Sequence, residues 1–320
     1  MRVLVTGGAG FIGSHLVDKL MERGYKVRVV DNLSAGRLEN LIKWLGHANF
    51  EFVKGDLREI NVASQALRDI DAVFHLAANP EVRIGSQKPG EIYENNVTVT
   101  YNLLEAMRRY GVGKLVFASS STVYGEARKI PTPEDYSPLE PISIYGASKL
   151  ACEALISGYA HTFKMKSLIL RLANIVGERS NHGVIYDFIL KLKRNPRTLE
   201  ILGDGNQKKS YLHISDCIEA ILHLYDRFDK EEALYDVYNV GSEDWMLVKE
   251  IADMVVKGLG LKNVEYKFTR EVEGGRGWPG DVKTMLLDIR KAKSKGWKPK
   301  LNSRQAIEKA VRELISRLNF

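Results

Sequence analysis

The stretch Val3 to Gly13, VLVTGGAGFIG, constrains this chain more than any other. A short β-branched run ends at Thr6, Gly7, Gly10 and Gly13 follow at three-residue spacing, and Phe11, Ile12, Leu16, Val17 and Leu20 continue as a helical apolar stripe. Glycine at these positions lets a strand turn sharply into a helix, brings backbone N–H groups close to an anion, and lets the helix pack flat on the strand. The unit predicts a cradle for a nucleotide pyrophosphate; the plainer alternative is a tight strand-helix turn.

KVRVVD, Lys26 to Asp31, reads as the next strand and ends on a carboxylate 18 residues beyond Gly13. An acid there accepts hydrogen bonds from both hydroxyls of an adenosine ribose and repels a 2′-phosphate, which favours NAD over NADP. Arg28 and Arg37 stand nearby as the residues that would serve such a phosphate instead.

Strand-like runs recur at Val3 to Val5, Val27 to Val30, Phe50 to Val53, Ala72 to Leu76, Leu115 to Ala118 and Leu168 to Leu172, with helix-like segments between them. This alternation predicts an α/β fold, a Rossmann-type doubly wound parallel sheet. Long amphipathic helices are expected over Glu91 to Tyr110 and Ile144 to Thr162, with a surface loop from Pro131 to Pro141. After Gly177 the pattern loosens into a helix near Val184 to Lys193, short strands near Leu199 to Leu202 and Val237 to Val240, and a Gly-rich loop at Gly274 to Gly280. The expected division is a dinucleotide domain over 1–177, with returning elements near 210–240, and a smaller, mixed C-terminal substrate-binding domain over 178–320.

A net charge of +7 suits an anionic partner. The basic residues are dispersed, however, and the densest clusters, Lys191 to Arg197 and Lys291 to Lys300, lack the interleaved aromatics of a base-stacking surface, so no nucleic acid is expected. Cys152 and Cys217 read as buried thiols of a reducing compartment, and the seven histidines make no metal-ligand spacing. A first strand beginning at the amino terminus and the lack of a long apolar run predict a cytoplasmic chain with no membrane partner.

Tyr145 and Lys149, in YGASK, fall on one face of the second long helix at i, i+4 spacing. Lowering a phenol from about 10 to neutrality requires about 3 units, or on the order of 4 kcal/mol, of phenolate stabilisation, to which an adjacent ammonium and a cationic nicotinamide ring contribute. FASSSTVYG, Phe117 to Gly125, is a buried strand that exits in hydroxyls at its carboxyl end, where doubly wound sheets bind ligands. A serine there can relay a proton between a substrate hydroxyl and the tyrosine oxygen.

With these motifs the chain resembles the extended short-chain dehydrogenase/reductases acting on nucleotide sugars, in their epimerase branch, nearly end to end. The resemblance carries the cofactor fingerprint onto Gly7, Gly10, Phe11, Ile12 and Gly13, and the ribose acid onto Asp31 with Asn32 beside it. It carries the adenine contact onto Asp56 and Leu57, the segment under the cofactor onto Leu76, Ala77 and Ala78 of HLAA, and further contacts onto Asn96, Ser119, Tyr145 and Lys149. The catalytic Ser/Thr, Tyr and Lys fall on Ser120, Tyr145 and Lys149; Ser120 is chosen over its neighbours because the 25-residue interval to Tyr145 is the family's. Substrate contacts implied by the same resemblance are Ser120, Ser121, Thr122, Tyr145, Asn174, Val184, Lys209, Arg276 and Asp281.

Related dehydratases carry Asp-Glu, and related decarboxylases a Glu, where this chain has Ser121 and Thr122. The implied activity is therefore NAD-dependent 4-epimerisation of a UDP-hexose, UDP-glucose or UDP-galactose, through a transient 4-keto sugar. Many relatives have Arg-Asp where Lys209-Ser210 stand here, and Met285 occupies the position of a tyrosine that narrows the sugar pocket in some of them. A UDP-N-acetylhexosamine or UDP-glucuronate epimerase, a dehydratase or decarboxylase, and a non-catalytic dinucleotide-sensing regulator are the alternatives. The two long helices resemble those that pair across a two-fold axis in the family, which implies a homodimer.

Overall fold

The β-branched runs assemble into one seven-stranded parallel sheet in the computed structural model, which describes residues 1–269 and 272–318. Its order is Tyr235–Val240, Lys166–Leu172, Lys114–Ser120, Ala72–His75, Arg2–Thr6, Lys26–Asp31 and Phe50–Lys54. The Arg2–Thr6 strand lies between Lys26–Asp31, with Val3 opposite Val27, and Ala72–His75, with Val3 opposite Ala72. From this central strand the chain first builds outward on one side and then returns to build the other. That reversal is the topological switch point outside which doubly wound sheets place their ligand crevice. Both faces of the central strands are covered, which is why they read as near-continuous Val and Leu runs rather than alternating ones.

The glycine turn shows why side chains are excluded from it. Gly7 has φ +66°, and a Cβ there would stand 2.8 Å from the Ala77 backbone; a Cβ on Gly13 would stand 2.2 Å from the Gly7 carbonyl oxygen. The helix Phe11–Glu22 can start only because both are bare.

The segment expected as one helix over Glu91 to Tyr110 is interrupted. Pro89–Tyr93 is α-helical, Glu94–Thr98 forms a π turn, and Val99–Tyr110 resumes the α-helix, ending at Gly111 in the left-handed conformation. The π turn holds Asn96, whose amide oxygen accepts from the Asn79 N–H at 2.8 Å and whose amide nitrogen donates to Ser148 Oγ at 2.8 Å. The widened turn thus frees a buried amide to bridge a loop and a neighbouring helix, which hydrophobic periodicity does not register. The second long helix runs Ile144–Phe163.

Contacts divide the chain into two units. The first comprises Met1–Val123, Ile144–Arg171 and Ile221–Tyr238, and its core includes Leu4, Phe117, Leu103, Met107, Ile156 and Ile169. The second comprises Tyr124–Ser143, Leu172–Ala220 and Asn239–Phe320. Its core is formed by the helices Val184–Arg194, Val248–Gly258 and Ser303–Arg317, the last started by a capping box between Asn302 and Gln305. Short strand pairs complete it: Asn174–Val176 with Tyr211–His213, and Thr198–Ile201 with Glu265–Phe268. Lys208–Lys209 runs between Met246–Leu247 and Thr284–Met285. No described helix is long and apolar enough to cross a membrane.

Gly13→Ala forces a methyl into the Gly7 carbonyl, and the helix must move to admit it. The expected cost is about 1–3 kcal/mol of stability, read as a lowered urea midpoint at unchanged slope.

Candidate active site

The first helix begins at Gly10 with no side chain capping it and no acidic residue in its first turn. Its first turn thus offers N–H groups and the positive end of its dipole without a cap of its own, the arrangement that accepts a phosphate. The close approach of backbone at Gly7 and Gly13 leaves that surface free of side chains. These features fit the pyrophosphate of a dinucleotide.

Asp31 is buried at the end of its strand, where Oδ2 accepts from the Ala9 N–H at 2.9 Å and Oδ1 from the Leu33 N–H at 2.8 Å. Each oxygen retains a further acceptor position. Burial raises the Asp31 carboxyl above the usual carboxylate range, and the Leu33 and Ala9 donors pull it back. Arg28 does not answer the expectation that it could serve a 2′-phosphate. It lies buried, with Nε on Glu51 at 2.8 Å and Nη1 on the Ala66 and Arg68 carbonyls. Three positions from Asp31 on one strand, it projects to the opposite face.

Asp56 is held well below the usual range, at about 2, chiefly by Arg58, and also accepts from Asn32 Nδ2 at 3.1 Å. Leu57 beside it is buried. Leu76 and Ala77 donate their N–H groups to Thr6 Oγ1, both at 3.2 Å, so the segment that leaves the Ala72–His75 strand is tied to the end of the central strand.

Tyr145, Lys149 and Ser120 come together where the Lys114–Ser120 strand meets the Ile144–Phe163 helix. Lys149 is buried, donates from Nζ to the Ala118 carbonyl at 2.8 Å, and sits 4.7 Å from the Phe117 ring centroid and 5.9 Å from that of Tyr145. Ser120 Oγ accepts from the Thr122 N–H at 3.2 Å and the Thr122 hydroxyl at 2.9 Å. Both its lone pairs are used, so its own proton is the one offered in the hydrogen bond to Tyr145.

Burial pushes the Tyr145 phenol up to about 12, opposed by the Ser120 hydrogen bond, and pushes Lys149 down to about 8. The ammonium therefore does not by itself make the phenol acidic. From about 12, reaching neutrality takes roughly 5 units, or about 7 kcal/mol of phenolate stabilisation.

Ser121 and Ser119 are buried on either side of Ser120. Ser119 is engaged instead with the same helix further along, its Oγ donating to Glu153 Oε1 at 2.5 Å. Glu153 is in turn gripped by Arg171, whose Nη2 lies 2.7 Å from Oε2. The sequence singled out neither residue. A signal was present, since Glu153 stands one helical turn beyond Lys149, but a glutamate in a helix draws no notice until its burial is known.

In the second unit, Asn174 turns its amide to the Ser210 carbonyl at 3.1 Å, and Val184 opens the Val184–Arg194 helix, packed against the local core. Lys209 pairs with the buried Asp281, whose Oδ2 also accepts from the Gly277 N–H at 3.1 Å. Arg276 pairs with Glu126 and donates to the Asp281 carbonyl at 2.7 Å. The structure thus joins Lys209, Arg276 and Asp281 in one charged cluster. Met285 lies opposite Lys209 in the local sheet and is buried.

Asp31→Asn keeps the shape and removes the charge. It is expected to weaken NAD binding about tenfold or more and to narrow the gap to NADP, measured by calorimetry. Because burial raises the native carboxyl, NAD affinity is full above that raised pKa and declines as pH falls through it, at a higher pH than an exposed aspartate would show.

Residues 3–241 match the NAD dependent epimerase/dehydratase family. The chain is 36% identical over 318 residues to a putative UDP-glucose 4-epimerase of Methanocaldococcus jannaschii, covering 97% of each. It is 32% identical to UDP-glucuronic acid decarboxylase 3 of Arabidopsis thaliana, over all of this chain and 90% of that one. Among solved structures, one of a UDP-galactose 4-epimerase superposes with a TM-score of 0.89 at 45% identity, covering 99% of this chain and 100% of the other. The chain is thereby a member of the NAD dependent epimerase/dehydratase family, an NAD-dependent enzyme of nucleotide-sugar chemistry.

Proposed function

We propose that this enzyme interconverts UDP-glucose and UDP-galactose by oxidation and re-reduction at C4 of the bound sugar. The observation that carries this reading is the Ser120–Tyr145–Lys149 group with hydroxyls rather than carboxylates at Ser121 and Thr122. Eliminating water or steering a carboxylate needs an acid beside the reacting carbons, and Thr122 is instead spent in hydrogen bonds to Ser120. The 45% identity to a UDP-galactose 4-epimerase supports the same choice. The 32% identity to a UDP-glucuronic acid decarboxylase makes UDP-glucuronate the second substrate to test.

NAD, held by the Gly7–Gly13 turn, Asp31, Asp56–Leu57, Leu76–Ala78 and Asn96, supplies the hydride acceptor and a cationic ring whose charge favours a nearby phenolate. Tyr145 takes the proton of the sugar 4-hydroxyl and later returns it. Ser120, its acceptor sites filled by Thr122, donates to the tyrosine oxygen and so stabilises the phenolate. Lys149 has three N–H donors, of which the Ala118 carbonyl takes one; the others are assigned to the cofactor ribose. In the second unit we assign Asn174, Lys209 and Arg276 to the substrate diphosphate and Val184 to the nucleoside, with Asp281 orienting Lys209. The assembly we propose is a homodimer through the Val99–Tyr110 and Ile144–Phe163 helices, which leave Tyr101 and Phe163 nearly half exposed.

Tyr145→Phe removes only the titrating oxygen. NAD affinity should persist while interconversion falls by about 10²–10⁴, measured by NMR analysis of the sugar products. The unaltered enzyme should need no added reductant and release no stoichiometric NADH. Near-original turnover in Tyr145→Phe would remove the base from the mechanism, and stoichiometric NADH would make the protein a dehydrogenase. Light scattering that returns a monomer mass at micromolar concentration would overturn the assembly.

A further inference from the structure

We propose that Glu153 is a positioning residue for this site: through the Ser119 hydroxyl and the Arg171 guanidinium it fixes the end of the strand that presents Ala118 to Lys149 and Ser120 to Tyr145. The proposal rests on the catalytic reading above and extends it to Glu153 and Arg171, to which the resemblance gave no role, and to Ser119, whose hydroxyl is held by Glu153.

Three consecutive residues of the Lys114–Ser120 strand divide the work. Ala118 receives the Lys149 ammonium at 2.8 Å, Ser119 binds Glu153 at 2.5 Å, and Ser120 reaches Tyr145. Ser119 stands between the other two in one strand. A displacement of Ser119 therefore moves the carbonyl and the hydroxyl that flank it together. Glu153 and Lys149 are four residues apart on the Ile144–Phe163 helix, so the same helix meets this strand end twice, once through the ammonium and once through the carboxylate.

Arg171, on the Lys166–Leu172 strand, closes the arrangement. Its Nε lies 3.1 and 3.2 Å from the two Glu153 oxygens and its Nη2 2.7 Å from Oε2. Both side chains are at most 5% exposed. A fork-shaped grip of this kind fixes the plane of the carboxylate, and so the direction from which Ser119 is held.

The charge also reaches Lys149. The groups facing the ammonium are Tyr145, Cys152 and Glu153 on its own helix, and His75 on the Ala72–His75 strand. Those facing the carboxylate are Arg171, Ser119 and Tyr235. Burial lowers Lys149 to about 8, with Glu153 and Cys152 acting in the opposite direction. Removing the carboxylate lets Lys149 lose its proton at lower pH.

The deciding variants are Ser119→Ala, which deletes one hydrogen bond, and the paired E153L/R171M, which removes both charges without stranding either. Glu153→Gln leaves Arg171 buried against a neutral amide, and its folding is checked by thermal denaturation before use. For Ser119→Ala we expect kcat to fall about tenfold with KM changed less than about twofold, the signature of lost alignment. For E153L/R171M we expect a fall of 10- to 100-fold, with the alkaline limbs of kcat and of NAD affinity displaced to lower pH. Glu153→Asp should recover part of the pH profile. A folded E153L/R171M protein whose kcat and alkaline limbs coincide with those of the unaltered enzyme overturns the proposal. The NAD-affinity profile, taken by calorimetry from pH 6 to 10, does not depend on the sugar, so it decides the role of Glu153 even if UDP-glucose proves not to be the substrate.

Discussion

The Lys149 ammonium on the Ala118 carbonyl is the interaction around which the first unit's chemistry is arranged. A carbonyl dipole compensates a buried cation less fully than a carboxylate does, and the pKa of about 8 expresses that shortfall. The group nevertheless remains mostly protonated at neutrality, so a positive charge is maintained beside a phenol that burial holds near 12. A direct carboxylate partner would have neutralised that charge. Glu153 is instead committed to Arg171 and Ser119, which leaves the ammonium's field largely intact while the strand it binds is held rigid.

A second set of buried groups secures the neighbouring strand ends without adding charge. Thr6 Oγ1 accepts from both Leu76 and Ala77, so its proton goes to His75 Nδ1 at 2.7 Å. The imidazole is neutral, since burial pushes it down to about 3, and Nε2 therefore carries the hydrogen offered to Thr100 Oγ1 at 3.0 Å. Thr100 passes its own hydrogen to the Asn96 carbonyl at 2.7 Å, inside the π turn. Cys152 Sγ lies 3.2 Å from the same Thr100 oxygen. The central strand, the HLAA segment and the π turn are thus joined by a sequence of bonds that an ionised histidine could not sustain.

Much of the first unit was legible because its determinants are local. Every strand predicted up to Leu172 is present, with bounds displaced by a residue or two, because β-branched runs separated by helical stripes leave few other arrangements. The turn glycines were recognisable since three-residue spacing reflects one physical need, and Gly13 with 2.2 Å of clearance is its extreme. Tyr145 and Lys149 share a helix face, and Ser120 lies at a strand end. The π turn at Glu94–Thr98 was not legible, because its cause is Asn96 bonding to residues 17 and 52 positions away. Arg28 misled for a related reason: proximity in sequence to Asp31 hid the alternation that turns it to the other face, into Glu51 and two carbonyls.

The second unit resists reading for the same physical reason carried further. Apart from Val184, its candidate residues stand on strands of two or three residues and on a Gly-rich loop, elements too short to show a period. What fixes them is distant pairing: Lys209 meets Asp281 across 72 positions, and Arg276 meets Glu126 across 150. Lys283 adds a third such pair with Asp204 at 3.2 Å. Among the described residues three cations are thus matched by three carboxylates, a pairing that composition does not reveal. Lys209 also offers a single ammonium where an arginine would present a fork, and with Asp281 buried beneath it the direction of that ammonium is set by the carboxylate. Any anion that Lys209 binds must share it with Asp281, which ties affinity at this position to the geometry of the Gly-rich loop rather than to the number of basic residues nearby.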